Sequence, residues 1–370
     1  MVIELKNLDI LYMKRALLLA QTQGRYVSPN PKVGAVLVKN EKIVAEGAHQ
    51  RYGGPHAEIV VLKKAGIKAK GATLFVTLEP CSHYGKTPPC ANAVIKAGIV
   101  KVVAAMKDPF PLVAGKGFAL LKKAGIKVKT GLLEKEAKKL NENFIFSQVH
   151  QRPKVILKVA MTLDGKIATV SGKSKWITGL LALRKAHQIR SSVDAILVGS
   201  RTAFLDNPSL TVRFPKYNRE DGWPLRVLLD SKLQVKLSAK IFQGSPKTFV
   251  FTSPKASFVR EKVLRQKGVQ VFRVPLKEKM LSLEAVLKKL YSLSVRSVLV
   301  EGGAEVHASF LKLKLADELA LFMAPKIFGG PAPGWVGGAG VLSPSKAWMV
   351  RNINIEKLGE DYLLTARLRE

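Results

Sequence analysis

Two cysteines occur in this chain of 370 residues, and both lie in the stretch EPCSHYGKTPPC, which begins at Glu79. A histidine, His56, precedes them in the stretch GGPHAEIVVL. The imidazole of His56 and the thiolates of Cys81 and Cys90 form the protein ligand set of a catalytic zinc that keeps its fourth position open for water. Zinc lowers the pKa of a bound water from about 15.7 to about 7. The three residues therefore predict a hydrolytic zinc site.

Glu58 stands two residues after His56 and provides the acid-base group that such a reaction needs. Its carboxylate can take a proton from the water and pass it to a leaving amine. The order His-x-Glu, Pro-Cys and a second Cys is that of zinc-dependent base deaminases. Eight residues separate the two cysteines here, whereas the deaminase signature has two between them. The alternatives are a structural zinc with His83 as its fourth ligand and two inert buried cysteines.

The predicted elements place the ligands where an α/β enzyme needs them. A strand over 73–79 leads into Cys81, and helices over 56–65 and 88–97 begin at the other two ligands. Two prolines open the second of these helices, and a helix start favours a thiolate. Active sites of α/β proteins lie beside the carboxyl ends of strands. We expect the zinc site at that edge of a sheet.

Two runs of alternating strands and helices predict two α/β domains, 1–150 and 151–370, with a linker at Pro153. Three helices of the first run end on a glycine, which suits the left-handed position after a helix. The elements predicted in the first domain are helix 9–23, strands 33–39 and 42–48, helix 56–65, strand 73–80, helix 88–97, strand 101–106, helix 116–124, strand 126–132 and helix 133–147. Those predicted in the second are strand 154–161, helix 179–191, strands 195–200, 226–230 and 248–253, helices 257–267 and 281–293, strand 297–303 and helix 304–314.

The composition excludes a membrane protein. Hydrophobic residues make up 47% of the chain, yet no apolar run approaches the roughly 18 residues of a membrane helix. The N-terminal stretch carries acidic residues where a signal peptide carries basic ones. We therefore expect a cytoplasmic protein without a membrane partner.

The net charge of +34 suggests two kinds of partner. An RNA-binding protein or RNA deaminase would use the lysines to neutralise phosphates. The lysines are spread along the chain, however, and no basic block or tail stands apart. We favour a solvated basic surface whose field attracts anionic small molecules, and we expect no nucleic-acid partner.

Seven stretches resemble the bifunctional deaminase–reductase family of bacterial riboflavin biosynthesis, and together they span nearly the whole chain. The stretches are SPNPKVGAVLV, HQRYGGPHAE, EPCSHYGKTPPC, LKVAMTLDGKIA, SGKSKWIT, DNPSLTVR and VEGGAEVHASFL. The resemblance implies an α/β protein with a cytidine-deaminase-like three-layer domain followed by a dihydrofolate-reductase-like α/β domain. It implies hydrolytic removal of the ring amine from a diamino-pyrimidinone that bears ribosylamine 5-phosphate. NADPH would then reduce the ribosyl group to ribityl, and we expect a homo-oligomer.

The resemblance also implies the residues of both sites. Glu58 would be catalytic, one Zn²⁺ per chain would be bound by His56, Cys81 and Cys90, and Asn30 would hydrogen-bond the base. His49, His83 and Lys86 would contact the ribosyl phosphate and the pyrimidine edge. The reductase substrate would be held by Lys158, Ser174, Arg190, Leu210, Arg213 and Glu301. NADPH would be held by Ala160, Trp176, Thr202, Asp206, Ser231, Gly303, Ala304, Glu305, Val306, His307, Ala308 and Ser309.

The chemistry of individual residues supports part of this second site. No Gly-x-Gly-x-x-Gly stretch is present, so a Rossmann dinucleotide site is not predicted. Glu301-Gly302-Gly303 joins a buried strand to a helix, and glycines there let a pyrophosphate approach free N–H groups. Arg190 and Arg213 suit a phosphate because a guanidinium binds it with two parallel hydrogen bonds. Trp176 is equally well interpreted as a packing residue. Lys86 is a reasonable phosphate partner in its Gly-Lys-Thr turn, and a solvated loop lysine is the alternative.

Overall fold

The computed structural model describes residues 2–24, 26–82, 88–110, 114–214 and 224–368, with side chains from residue 8 onward. The chain divides into two compact units, Met1–Gln151 and Arg152–Glu370. Within the described ranges, no helix combines the length and the apolar composition that a membrane crossing requires.

The first unit has three layers, with helices on both faces of a sheet. Its elements are α1 (Val2–Gln21), β1 (Gly34–Lys39), β2 (Lys42–Ala48), α2 (Ala57–Ala65), β3 (Thr73–Val76), α3 (Cys90–Lys96), β4 (Lys101–Ala104), α4 (Lys116–Lys123), β5 (Lys127–Thr130), α5 (Glu134–Leu140) and α6 (Glu142–His150). The sheet order is β2-β1-β3-β4-β5. Strand β1 is antiparallel to both β2 and β3, whereas β3, β4 and β5 are parallel to one another. Gly34 of β1 faces α1, whereas Gly47 of β2 faces Val60 of α2.

Glycine ends three of these helices, as the sequence predicts. Gly66, Gly98 and Gly125 have φ angles of 53°, 70° and 81° and follow α2, α3 and α4. Glycine enters this left-handed region without the steric cost that a Cβ would impose. The single helix predicted over 133–147 is wrong, because Asn141 separates α5 from α6. The side-chain amide of Asn141 forms two hydrogen bonds with the backbone of Lys32. It accepts from the N–H of Lys32 at 2.7 Å and donates to the C=O of Lys32 at 3.0 Å.

The second unit is built on a long mixed sheet. Its elements are β6 (Lys154–Thr162), α7 (Leu180–Ser191), β7 (Ala195–Gly199), α8 (Ser200–Asp206), β8 (Leu225–Leu229), β9 (Thr248–Thr252), α9 (Phe258–Gln266), β10 (Gln270–Arg273), β11 (Leu276–Lys277), β12 (Met280–Leu281), α10 (Leu283–Ser292), β13 (Ser297–Val300), α11 (Ala304–Lys312), β14 (Glu318–Ala324), β15 (Arg351–Leu358) and β16 (Asp361–Arg367). Within the described residues the order is β10-β9-β8-β7-β13-β6-β14-β16-β15. The first seven strands in this order are parallel, while β16 and β15 are antiparallel to their neighbours. Strands β11 and β12 form a separate hairpin.

Burial explains why the sequence predicts three of the central strands and misses β15. All residues of β7, β9 and β13 are buried, as expected for parallel strands covered on both faces, and their apolar runs are recognisable. Strand β15 is an exposed edge strand that alternates polar and apolar residues without a buried face. Strands β14, β15 and β16 were not predicted, and neither were β10, the β11–β12 hairpin and α8.

Helix α1 lies so close to β1 that Gly34 has no room for a side chain. A Cβ there would lie 2.0 Å from the backbone oxygen of Ala16. We expect Gly34→Ala to lower the free energy of unfolding by about 3 kcal/mol, because overpacking must move the helix from the sheet. The matched control is Gly334→Ala, whose Cβ would meet only the oxygen of Gly165 at 3.9 Å. Denaturant unfolding measures both changes, and an equally small loss for Gly34→Ala would contradict the expectation.

Candidate zinc and reductase sites

Three side chains of the first unit converge on one point. The ligand atoms of His56, Cys81 and Cys90 lie within 4.8 Å of one another. His56 Nδ1 is 3.2 Å from Cys90 Sγ and 3.6 Å from Cys81 Sγ. One imidazole and two thiol groups are soft and borderline donors, and this set fits zinc with three protein ligands.

The ends of secondary-structure elements hold each of these donors. His56 is the extended residue before α2, and Cys90 is the first residue of α3 and fully buried. Cys81 follows β3, and its backbone C=O accepts a hydrogen bond from the N–H of Ala91 at 3.1 Å. The N–H of Cys90 donates to Cys81 Sγ at 3.2 Å. These two bonds fix the loop after β3 to the first turn of α3, so the two sulfurs are placed together.

The hydrogen bond to Cys81 raises the pKa of His56, against the opposing effect of burial. Hydrogen bonding from Cys90 and His56 lowers the pKa of the Cys81 thiol to about 4. Donation to Cys81, together with burial, raises the pKa of the Cys90 thiol. Burial and the neighbouring Cys81 raise the pKa of the Glu58 carboxyl to about 7. Metal binding requires both sulfurs as thiolates. A divalent cation would offset the negative charges of these two thiolates and of the neighbouring Glu58 carboxylate.

Asn30 and His49 form a hydrogen-bonded pair beside the metal ligands. The Nδ1 atom of His49 lies 2.9 Å from the carbonyl oxygen of Pro55, so this nitrogen carries the proton. The Nε2 atom therefore accepts from the amide NH₂ of Asn30 at 3.1 Å. Burial lowers the pKa of His49, which agrees with a neutral ring. This pair orients Asn30, and the predicted contact of His49 with the substrate stays a prediction. The predicted residues His83 and Lys86 lie outside the described residues.

Glu79 organises the neighbouring loop, and the sequence analysis missed it. Its buried carboxylate accepts hydrogen bonds from the backbone N–H groups of Asp108, Gly115 and Phe118 at 3.1, 2.9 and 3.2 Å. It stands two residues before the ligand Cys81. A glutamate directly before Pro-Cys is the only sequence signal for this role.

A cavity of about 830 Å³ occupies the carboxyl ends of β6, β7, β8 and β13 in the second unit. Its volume suits a large organic ligand. The predicted residues that line it are Lys158, Ala160, Ser174, Arg190, Thr202, Asp206, Leu210, Ser231, Glu301, Gly303, Ala304, Glu305, Val306, His307 and Ser309. Three predicted residues do not line it: Trp176 is 76% exposed, Ala308 is buried, and Arg213 is exposed.

A buried ion pair lies at the wall of this cavity. Arg190 donates from Nε and Nη2 to the two carboxylate oxygens of Glu301 at 2.6 and 2.7 Å, and from Nη1 to the C=O of Thr211 at 3.1 Å. Burial alone would raise the pKa of Glu301, but Arg190 and Lys158 lower it to about 2. The guanidinium fork of Arg190 is thus directed at a carboxylate. Among the described residues, the side chain of Arg213 has no hydrogen-bond partner and is free to meet a phosphate.

Comparison with known proteins gives a match for each of the two units. Residues 6–106 match the cytidine and deoxycytidylate deaminase zinc-binding region, and residues 153–364 match the RibD C-terminal domain. The riboflavin biosynthesis protein RibD of Aquifex aeolicus is 45% identical over 360 residues, which cover 97% of this chain and 98% of that protein. RibD of Escherichia coli is 40% identical over 368 residues, which cover 96% and 98%.

The solved structure of Acinetobacter baumannii RibD matches with a TM-score of 0.89 and 36% identity, and covers 98% of this chain and 99% of that one. The chain belongs to the RibD family. A Thermotoga maritima structure of a diaminohydroxyphosphoribosylaminopyrimidine deaminase/5-amino-6-(5-phosphoribosylamino)uracil reductase matches with a TM-score of 0.84 and 40% identity, over 98% and 99%.

These matches confirm the predicted family and the predicted α/β fold class. As a RibD protein, the chain is a bifunctional deaminase and reductase of riboflavin biosynthesis, and zinc and NADPH are its cofactors. RibD function implies a phosphorylated pyrimidine substrate. The residue assignments rest on the geometry described above and stay predictions.

We predict that the Arg190–Glu301 pair stabilises the second unit. We expect Glu301→Gln to lower its free energy of unfolding by about 3 kcal/mol, because a buried guanidinium loses its counterion. The matched control is Glu261→Gln, whose partners Arg265 and Arg273 are 53% and 21% exposed, and which should cost about 1 kcal/mol. Equilibrium unfolding in denaturant measures both, and equal losses would show that burial of the pair contributes nothing.

Proposed function

We propose that the first unit removes the ring amine of a diamino-pyrimidinone that bears ribosylamine 5-phosphate, and that the second unit reduces the ribosyl group of the product to ribityl with NADPH. The observation that carries the proposal is the convergence of His56, Cys81 and Cys90 within 4.8 Å. Glu58, which is 3% exposed, lies two residues from the first of these ligands. The cavity in the second unit provides a separate place for the reduction.

The deamination would use few groups of the chain. Zinc, held by His56, Cys81 and Cys90, supplies an activated water when it is bound. The carboxylate of Glu58 takes a proton from that water and delivers it to the leaving amine nitrogen. Burial raises the pKa of Glu58, and this favours a carboxyl group that first accepts a proton as a base and then donates it as an acid. Asn30 would accept from a donor on the pyrimidine edge through Oδ1, because His49 accepts from its NH₂ group.

The start of α11 would provide the binding site for a dinucleotide in the reductase cavity. Gly303 has a φ of 63°, and a Cβ on Gly302 would lie 2.7 Å from Val198 Cα, so only glycine fits. The first N–H groups of α11 have no partner within the helix and can bind a pyrophosphate. NADPH supplies the hydride when it is bound there. Lys158 and the Arg190–Glu301 pair would contact the sugar, and Arg213 would bind its phosphate.

The proposal places the enzyme in the cytoplasm, where reduced thiols are available as zinc ligands. It names phosphorylated small molecules as partners, and neither nucleic acid nor membrane. The dispersed lysines support this, since they provide a diffuse positive field without a basic block.

We also propose a homo-oligomer that forms through β15, the last strand in the order of the second sheet. Ile353 and Ile355 of this strand are 54% and 62% exposed. An edge strand with apolar residues pairs readily with another strand. We expect Ile353→Lys/Ile355→Lys to convert the oligomer to a monomer in sedimentation velocity, whereas Ile327→Lys, at a residue that is 72% exposed elsewhere, should not. A monomeric parent, or a double variant that stays assembled, would contradict the proposal.

The division of labour between the units is tested with Glu58→Gln. We expect deamination to fall at least about a hundredfold, because the amide cannot accept the proton. Reduction of the already deaminated compound by NADPH should be unchanged. Mass spectrometry of the products and NADPH absorbance provide the two measurements, with bound zinc as the control. Cys90→Ser should lose the zinc as well as the deamination. Loss of NADPH oxidation in Glu58→Gln would refute two independent sites.

A further inference from the structure

One buried histidine of the second unit has no part in the proposed reactions. His187 lies on α7, one turn before Arg190, and its side chain is 1% exposed. Its Nδ1 atom accepts a hydrogen bond from the backbone N–H of Arg213 at 3.2 Å. Its ring contacts Phe214 edge to face, with the centroids 5.1 Å apart. The imidazole therefore joins α7 to the segment that carries the free guanidinium of Arg213.

We propose that His187 is a positioning residue for the phosphate of the reductase substrate, because it fixes the backbone from which Arg213 reaches that phosphate. This inference rests on the proposed function, which assigns the phosphate to Arg213. His187 itself does not line the cavity described above. Its effect on the substrate is transmitted through one backbone hydrogen bond.

Two side chains on one face of α7 hold the Arg213 segment. Arg190 donates to the C=O of Thr211 at 3.1 Å, and His187 accepts from the N–H of Arg213 two residues later. Residues three apart on a helix lie side by side, so the two anchors are adjacent. With both bonds the segment has a fixed direction. With one bond it can pivot about Thr211, and the guanidinium at its end is then displaced.

The tautomer of His187 follows from the same bond. A backbone N–H can only donate, so Nδ1 carries no proton and Nε2 carries it. Nε2 has no hydrogen-bond partner within the described ranges. Burial is the main cause that lowers the pKa of His187, and the positive charges of Arg190 on its own helix, Arg213 on the adjoining segment and Lys158 on β6 add to it against the opposing effect of Glu301, so that the pKa is about 4. Burial and these positive groups together keep His187 in the neutral form that accepts from Arg213.

The test compares His187→Leu with His187→Asn. Leucine removes the acceptor, whereas the side-chain oxygen of asparagine lies near the position of Nδ1 and can still accept from Arg213. Steady-state reduction is measured on the deaminated compound with and without its 5-phosphate. We expect His187→Leu to raise KM about tenfold for the phosphorylated compound only, with kcat within about twofold, because one positioning hydrogen bond is lost. His187→Asn should restore KM to within about threefold of the parent.

Arg213→Ala separates the failure of this inference from the failure of the proposed function. It should remove the preference for the phosphorylated compound, while an unchanged kcat for the compound without its 5-phosphate reports that the reductase unit of each variant is intact. If Arg213→Ala retains the preference, the assignment of the phosphate to Arg213 is wrong, and the role of His187 falls with it. If Arg213→Ala removes the preference but His187→Leu raises KM equally for both compounds, or changes kcat alone, His187 is only a packing residue and the inference is overturned.

Discussion

The ion pair between Arg190 and Glu301 is the interaction on which the second unit's site depends. It joins α7 to the end of β13, two elements separated by 111 residues in the chain. A carboxylate and a guanidinium are stable away from water only when each has a partner of opposite charge and good geometry. The pair meets this requirement, and half-buried Lys158 lies beside it, where burial lowers its pKa against the opposing effect of Glu301. The cavity wall and the Thr211 anchor follow from where this pair lies, and the charge of Arg190 adds to the burial that keeps His187 neutral.

The zinc site of the first unit has the opposite charge balance. Its groups are two sulfurs, an imidazole and the carboxylate of Glu58, of which Cys90 and Glu58 are buried, and no lysine or arginine is hydrogen-bonded to them in the described part of the unit. Two thiolates and a carboxylate without a metal cation would be costly in a protein interior. In the second unit, the chain supplies the counterion of Glu301 itself, namely Arg190. In the first unit, the counterion of the sulfurs and of Glu58 is the zinc cofactor. In both sites, a negative charge away from water needs a positive partner.

The sequence predicts what is local and misses what is distant. His56, Glu58, Cys81 and Cys90 lie in two short stretches whose chemistry is visible in the residue types. Helix ends at glycine are equally local. The partners of Arg190 and Asn141 lie more than 100 residues away, so neither the ion pair nor the break between α5 and α6 can be inferred from periodicity. Strand β15 was missed for a different reason, since an exposed edge strand lacks the buried face that produces a pattern.

The pairing of Asn141 with Lys32 determines how the first unit could be divided. Lys32 stands two residues after Asn30, so the loop that presents Asn30 is attached to a residue near the end of this unit. The matched deaminase region ends at residue 106, well before that attachment. A fragment that ends at residue 106 would keep the three predicted metal ligands but lose the hydrogen bonds between Asn141 and Lys32, which support the loop of Asn30. Truncation would thus separate metal capture from recognition of the base, and a self-sufficient deaminase fragment must extend past α5.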